Sequence, residues 1–183
     1  KESTDPTLLI SEEFRIPNFS STMLLQSVIE LKSSVWTFEP NSTDHVGFPK
    51  QYKYGETSTD NDDTVTLTGN NWQMFPISYT LTNNSVLELE LHVEGKPEVV
   101  GIGFETDTNL NSSRVIKFHG TQAWGIRAED YYNANSGVIT FPIGKYVKGK
   151  VNYLLLVLDN DDIESWRNKD KLTLKRLHLR QLP

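Results

Sequence analysis

Two kinds of side chain in this chain have types and spacings suited to chemistry, and both gather where strand-like runs end. The stretch 99–126, VVGIGFETDTNLNSSRVIKFHGTQAWGI, places Glu105 and Asp107 at the end of one apolar run. After the next run it places His119, Gln122 and Trp124 in a glycine-punctuated turn. A later run, NYLLLVLD, ends in Asp159, Asn160, Asp161 and Asp162. Calcium takes roughly six to eight oxygen ligands from carboxylates, carboxamides and backbone carbonyls. Glu105, Asp107, Asp159 and Asp161 are therefore candidate calcium ligands, provided the two strand ends meet. The spacing is not that of an EF-hand loop, and DNDD also suits a solvated acidic turn. The aromatic residues Trp124, Tyr131 and Tyr132 sit among Arg114, His119, Gln122 and Asn133. Flat rings with polar tips beside hydrogen-bonding groups suit the apolar faces and flanking hydroxyls of sugars, and loops are where such residues concentrate. Trp36, Trp72 and Trp166 read as packing residues, Trp72 because Met74 and Phe75 follow it closely.

The elements that must hold these residues are strands. VLELELHV alternates Leu87, Leu89, Leu91 and Val93 against Glu88, Glu90, His92 and Glu94, the pattern of a strand with one apolar face. TVTLT, VVGIGFE, RVIKFHG, GVITFPI and KLTLKRLHL follow the same logic. NYLLLVLD lacks polar alternation and reads as a central strand covered on both sides. Turn residues at 94–97, 135–137 and 148–150 separate the runs. The expected fold is all-β, an antiparallel two-sheet β-sandwich of the jelly-roll kind. Residues 1–6 read as a disordered terminus, 8–10 as a short strand, and 41–63 as loop. Residues 21–32 fit either a capped helix or irregular edge strands. The organisation expected is an N-terminal segment, 1–53, packed on or extending a sandwich of residues 54–183.

Composition limits the function classes. With 183 residues and 37% hydrophobic content the chain suits one domain with a real core. A net charge of -6 argues against nucleic acid, whose phosphates demand clustered Lys and Arg. The basic-looking 169–180 alternates with leucine and reads as a strand with a solvated face. The absence of cysteine removes disulfides, thiolate metal sites and Cys nucleophiles. No apolar run approaches the ~20 residues of a membrane span, so membrane insertion is not expected. Sequons at Asn18, Asn41, Asn83 and Asn111 are compatible with a secreted or cell-surface protein. His45, His92, His119 and His178 show no metal spacing, and His92 and His178 read as structural, on a polar-face and an apolar-face position respectively. No nucleophile-elbow or dinucleotide motif occurs.

Six blocks together resemble the carbohydrate-binding modules of polysaccharide-degrading and cell-surface proteins: LTGNNWQMFPISYTLTNNSVLELEL, GIGFETD, FHGTQAWGI, the loop around DYY, FPIGKY and LVLDNDD. Two positions depart from that pattern, Glu105 standing for an aspartate and Leu158-Asp159-Asn160-Asp161 varying the last motif. The resemblance implies a β-sandwich that binds oligo- or polysaccharide without cleaving it, within a larger secreted multidomain protein. The residue-level expectation is sugar contact by Arg114, His119, Gln122, Trp124, Tyr131, Tyr132 and Asn133. Calcium would brace the loops through Glu105, Asp107, Asp159 and Asp161. Two other classes compete: an adhesion module with its aromatics buried, and a small glycan-cleaving enzyme with Glu88, Glu90 or Glu105 lining a cleft.

Overall fold

The computed structural model describes residues 35–38, 46–48, 55–60, 63–161 and 170–183, all within the unit Val35–Pro183. The expectations for 1–6, 8–10 and 21–32, and those for Asp162 and Trp166, fall outside the described residues. Among the described residues twelve strands run in order: β1 (Val35–Thr37), β2 (Val46–Gly47), β3 (Thr57–Asp60), β4 (Thr64–Thr68), β5 (Asn71–Leu81), β6 (Ser85–Glu94), β7 (Val99–Glu105), β8 (Val115–His119), β9 (Ile126–Arg127), β10 (Val138–Phe141), β11 (Gly149–Asp159) and β12 (Lys171–Gln181).

They form two sheets. The first is ordered β10-β6-β12-β4-β3, with β1 also paired to β12; the second is ordered β2-β5-β11-β7-β8-β9. Apolar residues of both sheets meet in one core, including Leu67, Leu89, Leu91, Leu174 and Leu179 from the first and Phe75, Ile102, Phe104, Ile116, Leu154 and Leu156 from the second. This is an all-β two-sheet sandwich. Period-two strands dictate it, because each sheet must bury one apolar face against another. The pairings are antiparallel except β8–β9, which is parallel: the chain leaves β8, loops out through residues 120–125 and returns alongside in the same direction.

The alternation in β4, β6 and β12 is realised as expected, with buried leucines and valines inside and threonines and charged residues outside. β11 lies between β5 and β7 and is buried along most of its length. Three departures have physical causes. Residues 57–60 form β3 rather than loop, because the threonine-rich β4 beside them offers a complete antiparallel partner. β5 is an eleven-residue strand despite Pro76, whose missing N–H is tolerated where the β11 register shifts between Val151 and Tyr153. His178 faces outward against Thr37 at 3.1 Å, since an irregularity between Lys175 and His178, with Arg176 at φ 50, shifts the phase of β12.

The second sheet also carries an apolar cluster on its outer face. Trp72, Met74, Val99, Val115, Leu155 and Val157 are buried there, with Phe48, Leu110, Trp124 and Tyr153 packed over them. An outer face that is apolar and covered, rather than solvated, is what builds the site.

Candidate functional site

Register fixes the floor of the site. Trp72 on β5 lies opposite Val157 on β11, which lies opposite Gly101 on β7, which lies opposite Lys117 on β8. These four therefore share the outer face of the second sheet. Trp72 is buried and donates its indole Nε1–H to Asp159 Oδ1 at 2.9 Å. Trp124 packs edge-on against Trp72, ring centroids 5.3 Å apart and planes at 62°.

The loop bearing Trp124 is held at both ends by glycines that no other residue replaces without strain. Gly120 has φ +118, and a Cβ there would sit 2.3 Å from the Glu98 carbonyl oxygen. Gly125 has φ +78, with the Val115 carbonyl oxygen 2.9 Å from such an atom. Between them, the Gln122 N–H donates to the Glu98 carbonyl at 2.9 Å. The Gln122 carbonyl in turn accepts the Lys117 ammonium at 2.6 Å. Lys117 is almost wholly buried and also pairs with Glu129 at 2.9 Å; that pairing, with Arg127 nearby, holds the Glu129 carboxyl below its usual range although burial pushes it up. The buried ammonium thus pins the loop to β8 through one charged and one carbonyl partner.

The result is a cavity of about 150 Å³ lined by Trp72, Leu110, Gln122, Trp124, Asp159 and Asp161. It is smaller than pockets for drug-sized ligands. Beside the cavity Glu98 joins its two lining aspartates, so that Glu98, Asp159 and Asp161 each present a carboxylate oxygen within 4.8 Å of the others. The Asp161 N–H donates to Glu98 Oε2 at 2.8 Å, and Asn70 donates its amide to Asp161 Oδ1 at 3.0 Å. The carboxamide oxygen of Asn70 is buried and has no hydrogen-bond partner.

The expected calcium set is divided. Glu105 is opposite Tyr153, whereas Asp159 is opposite Val99. Six residues separate the two positions on β11, about 20 Å at the rise of a strand. Both acidic motifs follow the C-terminal end of their strand, and antiparallel neighbours put those C-termini at opposite ends of the strand pair. One ion cannot take both pairs. Glu105 is buried, accepts the Asn111 N–H at 3.1 Å and lies 3.7 Å from Arg114. Burial raises its carboxyl pKa, against the opposing pull of Asn111 and Arg114. Asp107 is exposed and accepts the Asn109 N–H at 2.7 Å in a local turn. Asp159 and Asp161 stay together and are joined by Glu98.

The expected sugar-contact set is divided as well. Gln122 and Trp124 line the cavity. Arg114 lies at the far end with Glu105 and donates Nε–H to the Phe104 carbonyl at 2.6 Å. His119 packs edge-on against Tyr132 at 5.4 Å, and Tyr132 rests on the main core. Tyr131 packs on Phe141 at 4.9 Å. Asn133 organises the turn before β10, accepting from Asn135 and Gly137. Glu98, Asn70 and Lys117 were not singled out from sequence. Glu98 follows Pro97 in a turn and Asn70 precedes β5, so neither stands in an acidic or aromatic motif; Lys117 sits mid-strand, where a solvated position is the ordinary expectation.

Of the carboxylates considered for cleavage, Glu88 and Glu90 line one groove of about 320 Å³ together with Arg176 and His178, whereas Glu105 lies apart from them on the other sheet. Glu88 and Glu90 lie on the outer face of the first sheet, paired with Arg180 and Arg176, and Glu105 is buried on the second. Among the described residues no helix is long and apolar enough to cross a membrane.

No protein-family model matches this chain, and no curated protein matches it. Among solved structures, one similar in shape is CBM86, a low-affinity xylan-binding module from the gut symbiont Roseburia intestinalis: 8% identity, 81% of this chain and 94% of that one covered, TM-score 0.45. A second is PfGH50B, with 13% identity, 80% of this chain and 23% of that one covered, and a TM-score of 0.40.

Proposed function

We propose that this domain binds carbohydrate without cleaving it, at the pocket formed by Trp124, Gln122, Asp159 and Asp161. The observation that carries the reading is the partly exposed Trp124 ring. It is braced from beneath by Trp72 and flanked by hydrogen-bonding groups on a loop that is fixed by two glycines and a buried lysine. A rigid ring beside acceptors matches a sugar's C–H face and hydroxyls, and rigidity keeps the ordering cost of binding low. A shallow site of this size gives weak affinity per site.

The reading includes a calcium ion at Glu98, Asp159 and Asp161, beside the pocket. The donors are all oxygens, as a hard cation requires. The unpartnered Asn70 oxygen adds a neutral donor in the same neighbourhood. The ion would neutralise three crowded carboxylates and tie the end of β11 to the turn before β7. Its setting is a module of a larger secreted or cell-surface protein, as the resemblance in sequence implies.

The test is retention on insoluble xylan, cellulose, agarose and starch, in calcium and in chelator, with the soluble fraction assayed for released sugar. Retention without release is expected, with a lower melting temperature and weaker retention in chelator. Release of sugar would overturn the non-catalytic reading. No retention by folded protein would favour a protein-contacting module. A melting curve that ignores calcium would remove the ion.

A further inference from the structure

The loop 106–114, TDTNLNSSR, contains one apolar residue, Leu110. It packs on the outer cluster of the second sheet, as Trp124 does, and among the residues lining the cavity it is the one aliphatic side chain. Polar bonds fix the loop around it. The Asn152 amide donates to the Thr106 carbonyl at 2.7 Å. Asp107 Oδ1 accepts the Asn109 N–H at 2.7 Å, and Asn111 Oδ1 accepts the Ser113 N–H at 3.0 Å. The bond closest to Leu110 comes from the sheet: Glu105, the last residue of β7, accepts the Asn111 N–H on Oε1 at 3.1 Å. That N–H belongs to the planar peptide unit joining Leu110 to Asn111, so the carboxylate holds the plane on which Leu110 is mounted.

Glu105 is 1% exposed, and as a stabiliser it is poorly placed. Arg114 Nε is 3.7 Å from Oε2 and donates instead to the Phe104 carbonyl, while the buried Nη2 of Arg114 has no hydrogen-bond partner. A buried charge pair of loose geometry does not offset its own desolvation. What the carboxylate does secure is the Leu110–Asn111 peptide. We propose that Glu105 is a positioning residue for the pocket, holding Leu110 as an aliphatic wall against which the ligand sets a C–H-rich, uncharged edge. The proposal rests on the carbohydrate-binding reading of that pocket and adds the edge of the sugar that it selects. A ligand carbon against Leu110 gains by leaving water, whereas a hydroxyl or a charge placed there loses hydration with no partner in return. Reach matters more than charge at position 105. An aspartate would withdraw the acceptor by about 1.5 Å, one carbon–carbon bond.

The experiment compares wild type with Leu110→Met, Leu110→Ala, Glu105→Gln, Glu105→Asp and the double variant Glu105→Asp/Leu110→Ala. Each is titrated with an oligosaccharide prepared from whichever of xylan, cellulose, agarose and starch retains the wild type, following tryptophan fluorescence. Thermal melts set a temperature at which the variants are folded. Leu110 is only half-buried in its loop, so its variants test the wall even where a Glu105 variant does not fold. Leu110→Ala should bind about tenfold or more weakly, and Leu110→Met close to wild type. Glu105→Gln keeps an acceptor at the same reach and should hold its affinity while melting lower. Glu105→Asp keeps the charge and should lose about as much affinity as Leu110→Ala. The double variant should bind no more weakly than Leu110→Ala alone, because the two residues act through one contact. Wild-type affinity in folded Leu110→Ala would overturn the contact, and wild-type affinity in folded Glu105→Asp would overturn the positioning role. Losses that multiply in the double variant, or affinity kept by Asp and lost by Gln, would overturn the route through Leu110. In each of those cases the pocket still stands. Failure of wild type to bind any of the polysaccharides would overturn the pocket and the proposal together.

Discussion

At Trp124 recognition and stability draw on one ring, because its edge-on contact with Trp72 is lost together with the surface offered to ligand. Replacing a half-buried indole by alanine removes perhaps half of the ~3–5 kcal/mol measured for buried large aromatics, so about 2 kcal/mol of stability goes with it. Trp124→Ala is expected to abolish sugar binding and lower the melting temperature by several degrees, while Trp124→Phe restores most of the stability and only part of the affinity. Calorimetric titration beside thermal melts separates the two effects, and undiminished binding by Trp124→Ala would place the sugar elsewhere. His119 makes a different contribution. Burial and then the Lys117 ammonium lower its pKa from 6.5, with Glu129 opposing. The folded protein therefore favours the neutral imidazole, and the unfolded chain takes up the proton first. Stability is retained above about pH 6.5 and falls as the pH drops from the unfolded value through the lower folded one. His119→Gln should flatten that part of the melting-temperature profile, and an unchanged profile would show that the imidazole titrates alike in the folded and unfolded states.

The strands show how far the sequence carries and where it stops. Alternation in 85–94 and 171–181 is visible as spacing because one face of each strand is wet and the other dry. β5 offers no such contrast, since its first half is buried on both faces, between the core and the outer cluster, and Pro76 interrupts the rest. The acidic motifs were legible as ligand-rich strand ends. Their separation was not, because which ends meet depends on strand order rather than composition. The same holds for Glu98, which joins Asp159 and Asp161 only because β7 and β11 are antiparallel neighbours. The loop from β8 to β9 belongs to this scale too. Lys117 connects the Gln122 carbonyl and the Glu129 carboxylate, so it sets the loop's position without touching the cavity. Lys117→Met fills the volume but removes both bonds; it should cost roughly 1–3 kcal/mol and weaken sugar binding by more than tenfold. Lys117→Arg, or Glu129→Gln with the lysine kept, should recover part of the affinity. Affinity that tracks only the loss of folded protein would make Lys117 a plain structural residue.

The molecule as a whole uses the two outer faces of its sandwich in opposite ways. On the second sheet a third apolar layer of Trp72, Leu155 and Val157 supports the loop and the pocket. On the first, acidic β6 faces basic β12 residue for residue, with Lys171 opposite Glu94, Lys175 opposite Glu90 and His178 opposite Glu88. Lys171 and Glu94 meet at 2.9 Å, while Arg176 pairs with Glu90 and Arg180 with Glu88. Signs therefore alternate across these neighbouring strands, and the described lysines and arginines of β12 form no continuous basic stripe. Exposed pairs of this kind contribute little, about 0–1 kcal/mol each. The double variant Lys171→Gln/Glu94→Gln should therefore melt within a degree or two of wild type and bind polysaccharide unchanged, and the same is expected of Glu88→Gln/Arg180→Gln. Retention on the polysaccharide panel, measured for both variants beside Trp124→Ala, sets one sheet face against the other. Loss of retention in the charge variants with Trp124→Ala unaffected would move the glycan surface to the first sheet, because nothing in the shared core carries a change in those solvated pairs across to the pocket.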